Sequence, residues 1–144
     1  CEQPPLNLIK SLEMSGCYIV DDDLLLVSRW LLTDVPTEGD PIENLSRAFL
    51  LHSAETAAKY EVDVARKGSY LIDSVRKRKA DGVIFAAPSF CDPALLDKPM
   101  IISRIEPLGI PYIHIQYAEN SSQMQPIREQ SGTFADSIKL WSAS

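Results

Sequence analysis

Asp81-Gly82-Val83-Ile84-Phe85-Ala86-Ala87-Pro88-Ser89-Phe90-Cys91-Asp92-Pro93-Ala94-Leu95-Leu96 is the stretch that decides the fold. Asp81-Gly82 is a turn signal, and the short apolar run Val83 to Ala87 between turn formers reads as a buried strand. Asp92 is the expected helix cap and Pro93 the first helical residue, where a missing N–H costs nothing. The segment is therefore a strand handing over to a helix, with Cys91 at the junction. A helix N-terminus presents free amides and the positive end of the dipole, which favour thiolate over thiol. Thiolate is the form that ligates iron or attacks an electrophile. The bland alternative is an inert buried cysteine.

The same alternation continues on either side. Leu6, Leu8, Ile9 and Leu12 recur at helical spacing after Pro4-Pro5, with Gly16 as a stop. Cys17-Tyr18-Ile19-Val20 reads as a strand, and Asp21-Asp22-Asp23 as caps for a helix through Leu24 to Trp30. A loop at Asp34, Pro36, Gly39 and Asp40 precedes a helix from Ile42 to Ser53, and a longer one runs from about Val64 to Lys79 through Gly68. The helix from Pro93 is expected to end near Glu106, broken by Pro107-Leu108-Gly109. Tyr112-Ile113-His114-Ile115-Gln116 is the third strand, and a helix from about Ser122 to Trp141 closes the chain.

Three strands alternating with helices predict an α/β fold of the doubly wound, Rossmann- or flavodoxin-like kind, a parallel sheet flanked by helices. Such sheets bind ligands beyond the carboxyl ends of their strands. That rule places Asp21 to Asp23, Pro88 to Asp92, and Tyr117 to Gln123 around one crevice. Cys17 belongs at the opposite, amino end of its strand and Cys1 outside the sheet, so neither should reach Cys91.

Composition bounds the rest. The 144 residues fit a single α/β domain over 1–144, 45% hydrophobic and 24% charged, with no apolar run near the roughly 20 residues needed to span a bilayer. A net charge of −6 argues against a nucleic-acid partner, and Arg76-Lys77-Arg78-Lys79 falls at a helix end, where cations suit the dipole. Cysteines at 1, 17 and 91 are too scattered for a disulfide framework or a zinc knuckle, which fits a cytoplasmic setting. The opening Cys1-Glu2-Gln3-Pro4-Pro5 has neither an initiator methionine nor a signal-peptide pattern, the expectation for a piece of something longer.

No G-x-G-x-x-G and no Walker A loop follow a strand, so a Rossmann dehydrogenase is disfavoured and nucleotide hydrolysis would fall to a partner chain. Asp21 to Asp23 could hold a hard cation, but capping and solvation explain them. A cysteine-nucleophile reading pairs Cys91 with His114 and takes Asp92, Glu119 or Asn120 as the orienting group. His114, mid-strand, should instead point into a helix-packed face, away from the sulfur. His52 reads as a core or partner-facing residue, and Trp30, Trp141 and Phe134 as packing anchors. Glu119-Asn120 and Arg128-Glu129-Gln130 are either a polar rim or ordinary helix-start chemistry.

Four blocks in order carry a resemblance. They are Asp81 to Phe85; Pro88-Ser89-Phe90-Cys91-Asp92-Pro93-Ala94-Leu95-Leu96-Asp97; Gln116-Tyr117-Ala118-Glu119-Asn120; and Ile127 to Trp141, which contains Arg128-Glu129-Gln130-Ser131-Gly132-Thr133-Phe134-Ala135-Asp136. Together they strongly resemble the C-terminal region of the benzoyl-CoA reductase and 2-hydroxyacyl-CoA dehydratase family. Cys1 to Pro5 and Gly16 to Asp23 are similar to the reductase branch.

The resemblance implies a C-terminal fragment of a longer subunit that holds a 4Fe–4S cluster through three cysteines. Cys91 matches the C-terminal ligand, and the other two are implied to lie in an N-terminal domain that this chain does not contain. Ser89, Phe90, Gln116, Glu119 and Asn120 are the candidate shell around the cluster or substrate. The implied chemistry is low-potential reduction of the ring of benzoyl-CoA to a cyclic diene thioester. Its implied partners are a sibling subunit, ATP-dependent electron-activating subunits and, indirectly, a ferredoxin. A dehydratase subunit eliminating water through ketyl radicals, or a non-catalytic α/β assembly domain, are the alternatives. One cysteine cannot retain a cluster, so this chain alone is expected to be colourless and inactive.

Overall fold

The computed structural model describes residues 4–23, 34–52, 67–118 and 124–142. Helix α1 spans Leu6–Met14 and α2 Pro41–Arg47, the latter running on as a π-helical turn over Ala48–His52. Then come α3 (Ser69–Arg78), β1 (Val83–Pro88), α4 (Asp92–Ile105), a 3-10 turn at Glu106–Leu108, β2 (Tyr112–Tyr117) and α5 (Met124–Ser142). Strands β1 and β2 pair in parallel, in register from Val83 opposite Tyr112 to Pro88 opposite Tyr117. The α/β class is borne out, with helices around a parallel sheet.

The sheet has two strands among the described residues, not three. Cys17 to Val20 alternates between half-buried and exposed side chains as a strand does, yet forms no ladder. Its first amide is already committed. Gly16 sits at φ 94°, its N–H bonds Glu13 O and the N–H of Cys17 bonds Leu12 O at 3.3 Å, which together form a Schellman cap on α1. The segment contributes Ile19 to the core instead. Asp21 then anchors it to α3, accepting from Ser74 Oγ at 2.9 Å and Arg78 Nε at 3.3 Å. Burial alone would raise the Asp21 carboxyl, but these bonds, the Asp22 amide and the Arg78 charge hold it below the usual carboxylate range. The helix expected from Leu24, with Trp30, lies outside the described residues.

The core lies on one face of the sheet. Ile115 and Tyr117 of β2 pack with Leu8 and Leu12 of α1 and Ile127 of α5, and Ile84, Ile113 and Met124 border them. The Leu6 side of the expected apolar face is not part of it, because Leu6 is 84% exposed whereas Leu8 is 1% exposed. Phe134 is buried as expected, but Trp141 is 81% exposed and is no core anchor. α4 packs on β1, and the side chains of Phe85 and Tyr112 lie on the face of the sheet away from that core. There the Phe85 and Tyr112 rings meet edge to face at 6.1 Å, and the Tyr112 hydroxyl donates to Glu106 at 2.6 Å. The His114 and Gln116 side chains of β2 stay exposed, which corrects the expectation that His114 enters a helix-packed face.

Two helix starts differ from the sequence reading. Gly68 is not tolerated inside a longer helix; it is the N-cap of α3 at φ 85°, a left-handed conformation that interrupts a helix. Cys91, not Asp92, is the N-cap of α4, so Asp92 and Pro93 occupy the first turn. Among the described residues no helix is long and apolar enough to cross a membrane.

Candidate functional site

The handover from β1 to α4 is fixed by three backbone bonds. Ser89 N–H donates to Tyr117 O at 2.7 Å, which continues the sheet pairing one residue past β1 and ties the loop to the carboxyl end of β2. Cys91 N–H donates to Pro88 O at 3.1 Å and closes a tight turn, and Cys91 O accepts from Leu95 N–H at 3.1 Å as the first bond of α4. Inside that turn Phe90 takes φ 72°, the left-handed region that bulky residues avoid, and its ring is 96% exposed. The turn places an apolar ring outward beside a half-buried thiol at the mouth of a helix. Held strain of this kind concentrates at functional sites.

Of the candidate residues, the structure brings Ser89, Phe90 and Cys91 together at the carboxyl edge of the sheet. Gln116 pairs with Ala87 on β2 and is exposed. Glu119 and Asn120 lie outside the described residues, as does the His52 side chain. The ambiguity over Arg128-Glu129-Gln130 resolves into contacts with α1, with α5 itself and with β2. Arg128 Nε reaches Ser11 Oγ at 3.4 Å, Glu129 accepts from Gln125 Nε2 at 2.9 Å, and Gln130 Nε2 donates to His114 O at 3.3 Å. A missed pair stands behind the site: Lys67 Nζ donates to Asp97 Oδ1 of α4 at 2.6 Å. Thirty residues separate the two, and no local pattern joins them.

The second thiol is a different environment. Cys17 Sγ lies 3.8 Å from the carbonyl of Ser131, whose fully buried hydroxyl finds no partner among the described residues. Burial pushes the Cys17 thiol up, partly offset by the Lys139 ammonium. A thiol whose folded value is raised adds stability that is complete below its unfolded value and lost as pH rises through the folded one. Urea midpoints measured across the alkaline range should therefore fall more steeply with pH in the native chain than in Cys17→Ala. Parallel curves for the two would refute this.

Among the described residues no three His, Cys, Asp or Glu side chains converge to hold a metal. The donor set at the loop thus fits one corner of a cluster, a single sulfur beside helix amides, and not a complete site.

The family model for the 2-hydroxyglutaryl-CoA dehydratase D-component matches residues 1–138. The chain belongs to this family. Within it, the chain is 66% identical over 142 residues to a benzoyl-CoA reductase subunit of Thauera aromatica, covering 99% of this chain and 37% of that protein. It is 30% identical over 132 residues to the (R)-phenyllactyl-CoA dehydratase beta subunit of Clostridium sporogenes, covering 92% and 34%. To the lactoyl-CoA dehydratase beta subunit of Anaerotignum propionicum it is 27% identical over 122 residues, covering 83% and 32%. The chain thus spans about a third of the length of these relatives of the D-component family, each of which is named as a subunit. The resemblance carried by the four sequence blocks is confirmed at the level of the family.

Proposed function

We propose that this chain is the part of a benzoyl-CoA reductase subunit that presents Cys91 as one thiolate ligand of a 4Fe–4S cluster. The observation that carries the reading is the gap in identity: 66% to a benzoyl-CoA reductase subunit against 30% and 27% to dehydratase subunits. When bound, such a cluster supplies single low-potential electrons for reduction of the aromatic thioester to a cyclic diene.

The residues have separable tasks. Cys91 anchors one sulfur at the N-cap of α4, at the helix end where the first-turn N–H groups of Asp92 and Ala94 have no partner within the helix. Phe90, held outward by the turn, would shield that side from water once the rest of the subunit covers it. Ser89 and Gln116 flank the carboxyl edge of the sheet and supply hydrogen bonds that tune the potential. Cys17, held against the Ser131 carbonyl with its thiol pushed up by burial, is not a ligand. The remaining ligands come from the N-terminal part of the subunit, the partner is a sibling subunit of the same family, and ATP-dependent subunits fed by a ferredoxin deliver the electron.

A dehydratase subunit is the second reading, favoured by the family model and two of the three relatives. The full-length subunit, assembled with its sibling and an ATP-driven electron donor, decides between them. Loss of aromatic absorbance from benzoyl-CoA is expected. Dehydration of phenyllactyl-CoA or lactoyl-CoA without benzoyl-CoA turnover would establish the second reading. No turnover of any of the three would leave an assembly domain.

A further inference from the structure

Helix α4 carries Cys91 at its start and Pro99 eight residues later. Pro99 lies inside the helix, so no N–H is available there for the carbonyl of Leu95, and the ladder lacks one bond between the turn bearing Cys91 and the rest of α4. Two consecutive residues just ahead of α3 bridge that gap. Lys67 Nζ grips Asp97 Oδ1 at 2.6 Å, with both side chains mostly out of solvent. Gly68 lies against Ile101, where an added Cβ would sit 3.3 Å from Cγ2.

Asp97 and Ile101 are one turn apart on the same face, one on each side of Pro99. The strap is itself seated, because Gly68 O accepts from Leu71 N–H at 3.1 Å and Ile72 N–H at 3.4 Å at the start of α3. Asp97 is six residues from Cys91, about 9 Å along the helix axis.

We propose that Lys67 and Gly68 are positioning residues that strap α4 across Pro99 and thereby fix where Cys91 presents its sulfur. The inference rests on the reading of Cys91 as a cluster ligand. Its physical content is that a helix lacking one backbone bond is more compliant at that point, and that an ion pair in a half-dry setting stiffens it there.

The test uses the full-length subunit in its complex, purified without oxygen. Lys67→Met should retain iron but shift the low-temperature spectrum of the reduced cluster, and Lys67→Arg should leave that spectrum in place. Adding Pro99→Ala to Lys67→Met should return the spectrum toward the native one, because alanine supplies the missing N–H. Pro99 is exposed, so this change leaves no cavity. Hydrogen exchange of the amides of residues 95–98 should quicken about fivefold in Lys67→Met, with the other helices unchanged.

If Lys67→Met does not assemble, Asp97→Asn gives the same readouts while keeping the side-chain shape. A native spectrum and native exchange in Lys67→Met, or no rescue by Pro99→Ala, would overturn the strap. Retention of iron by Cys91→Ala would instead overturn the ligand reading, with the exchange data still deciding whether the strap holds α4.

Discussion

On the proposed reading, Cys91→Ala in the full-length subunit is expected to lower bound iron, abolish the native spectrum of the reduced cluster and reduce ring reduction by more than about 100-fold. That magnitude follows from the position of the residue. Changes to groups that merely hydrogen-bond a metal ligand already cost roughly 10- to 100-fold, and on the proposed reading this change removes a ligand outright. The tight turn Pro88 to Cys91 and the first bond of α4 run through backbone atoms, so alanine keeps both and the loss reports on sulfur alone. Cys17→Ala is the matched control. Its thiol packs on Ser131 and is raised by burial, so iron content and spectrum should not change. Native iron and spectrum in Cys91→Ala would remove the ligand assignment.

Leu8→Ala costs about 3 kcal/mol of folding stability, and Leu6→Ala, two residues away in the same helix, stays within about 0.5 kcal/mol. Leu8 is 1% exposed and packs in the cluster that joins α1 to β2 and α5, so truncation leaves a cavity walled by Leu12, Ile115, Tyr117 and Ile127. Rigid surroundings from three elements do not collapse around it. Leu6 is 84% exposed and loses little that is buried. Urea titrations followed by circular dichroism measure both. Equal losses for the two leucines would mean that the α1 face is assigned wrongly.

The candidate site was legible because it is local. Turn residues, an apolar run and a proline in the first turn of a helix mark β1, its exit loop and the start of α4 within a short stretch of chain, and no distant partner is needed to place Cys91 there. The offset of one residue at the α4 cap came from Asp92, a strong capping type, which stands just inside the helix while the Pro88 to Cys91 turn takes the cap position. The loop strain at Phe90 was not legible, since nothing in a Ser-Phe-Cys run marks a left-handed φ. It follows from the simultaneous demands of Tyr117 O and Pro88 O on the amides either side of Phe90.

By itself, the sequence determined that Val83–Pro88 and Tyr112–Tyr117 are strands, that helices follow them and where the thiol lies between strand and helix, because periodicity and turn chemistry act over a few residues, while the four blocks in order carried the resemblance to the family. The tertiary structure alone decided which apparent strands pair and which faces are covered. Cys17 to Val20 has strand composition, but its first amide closes the α1 cap, and His114 has core spacing, but α4 packs on β1 and leaves it exposed. The Lys67–Asp97 bond belongs to the same class. Pairings across such distances in the chain depend on how elements pack, and packing is a property of the whole chain that no local pattern contains.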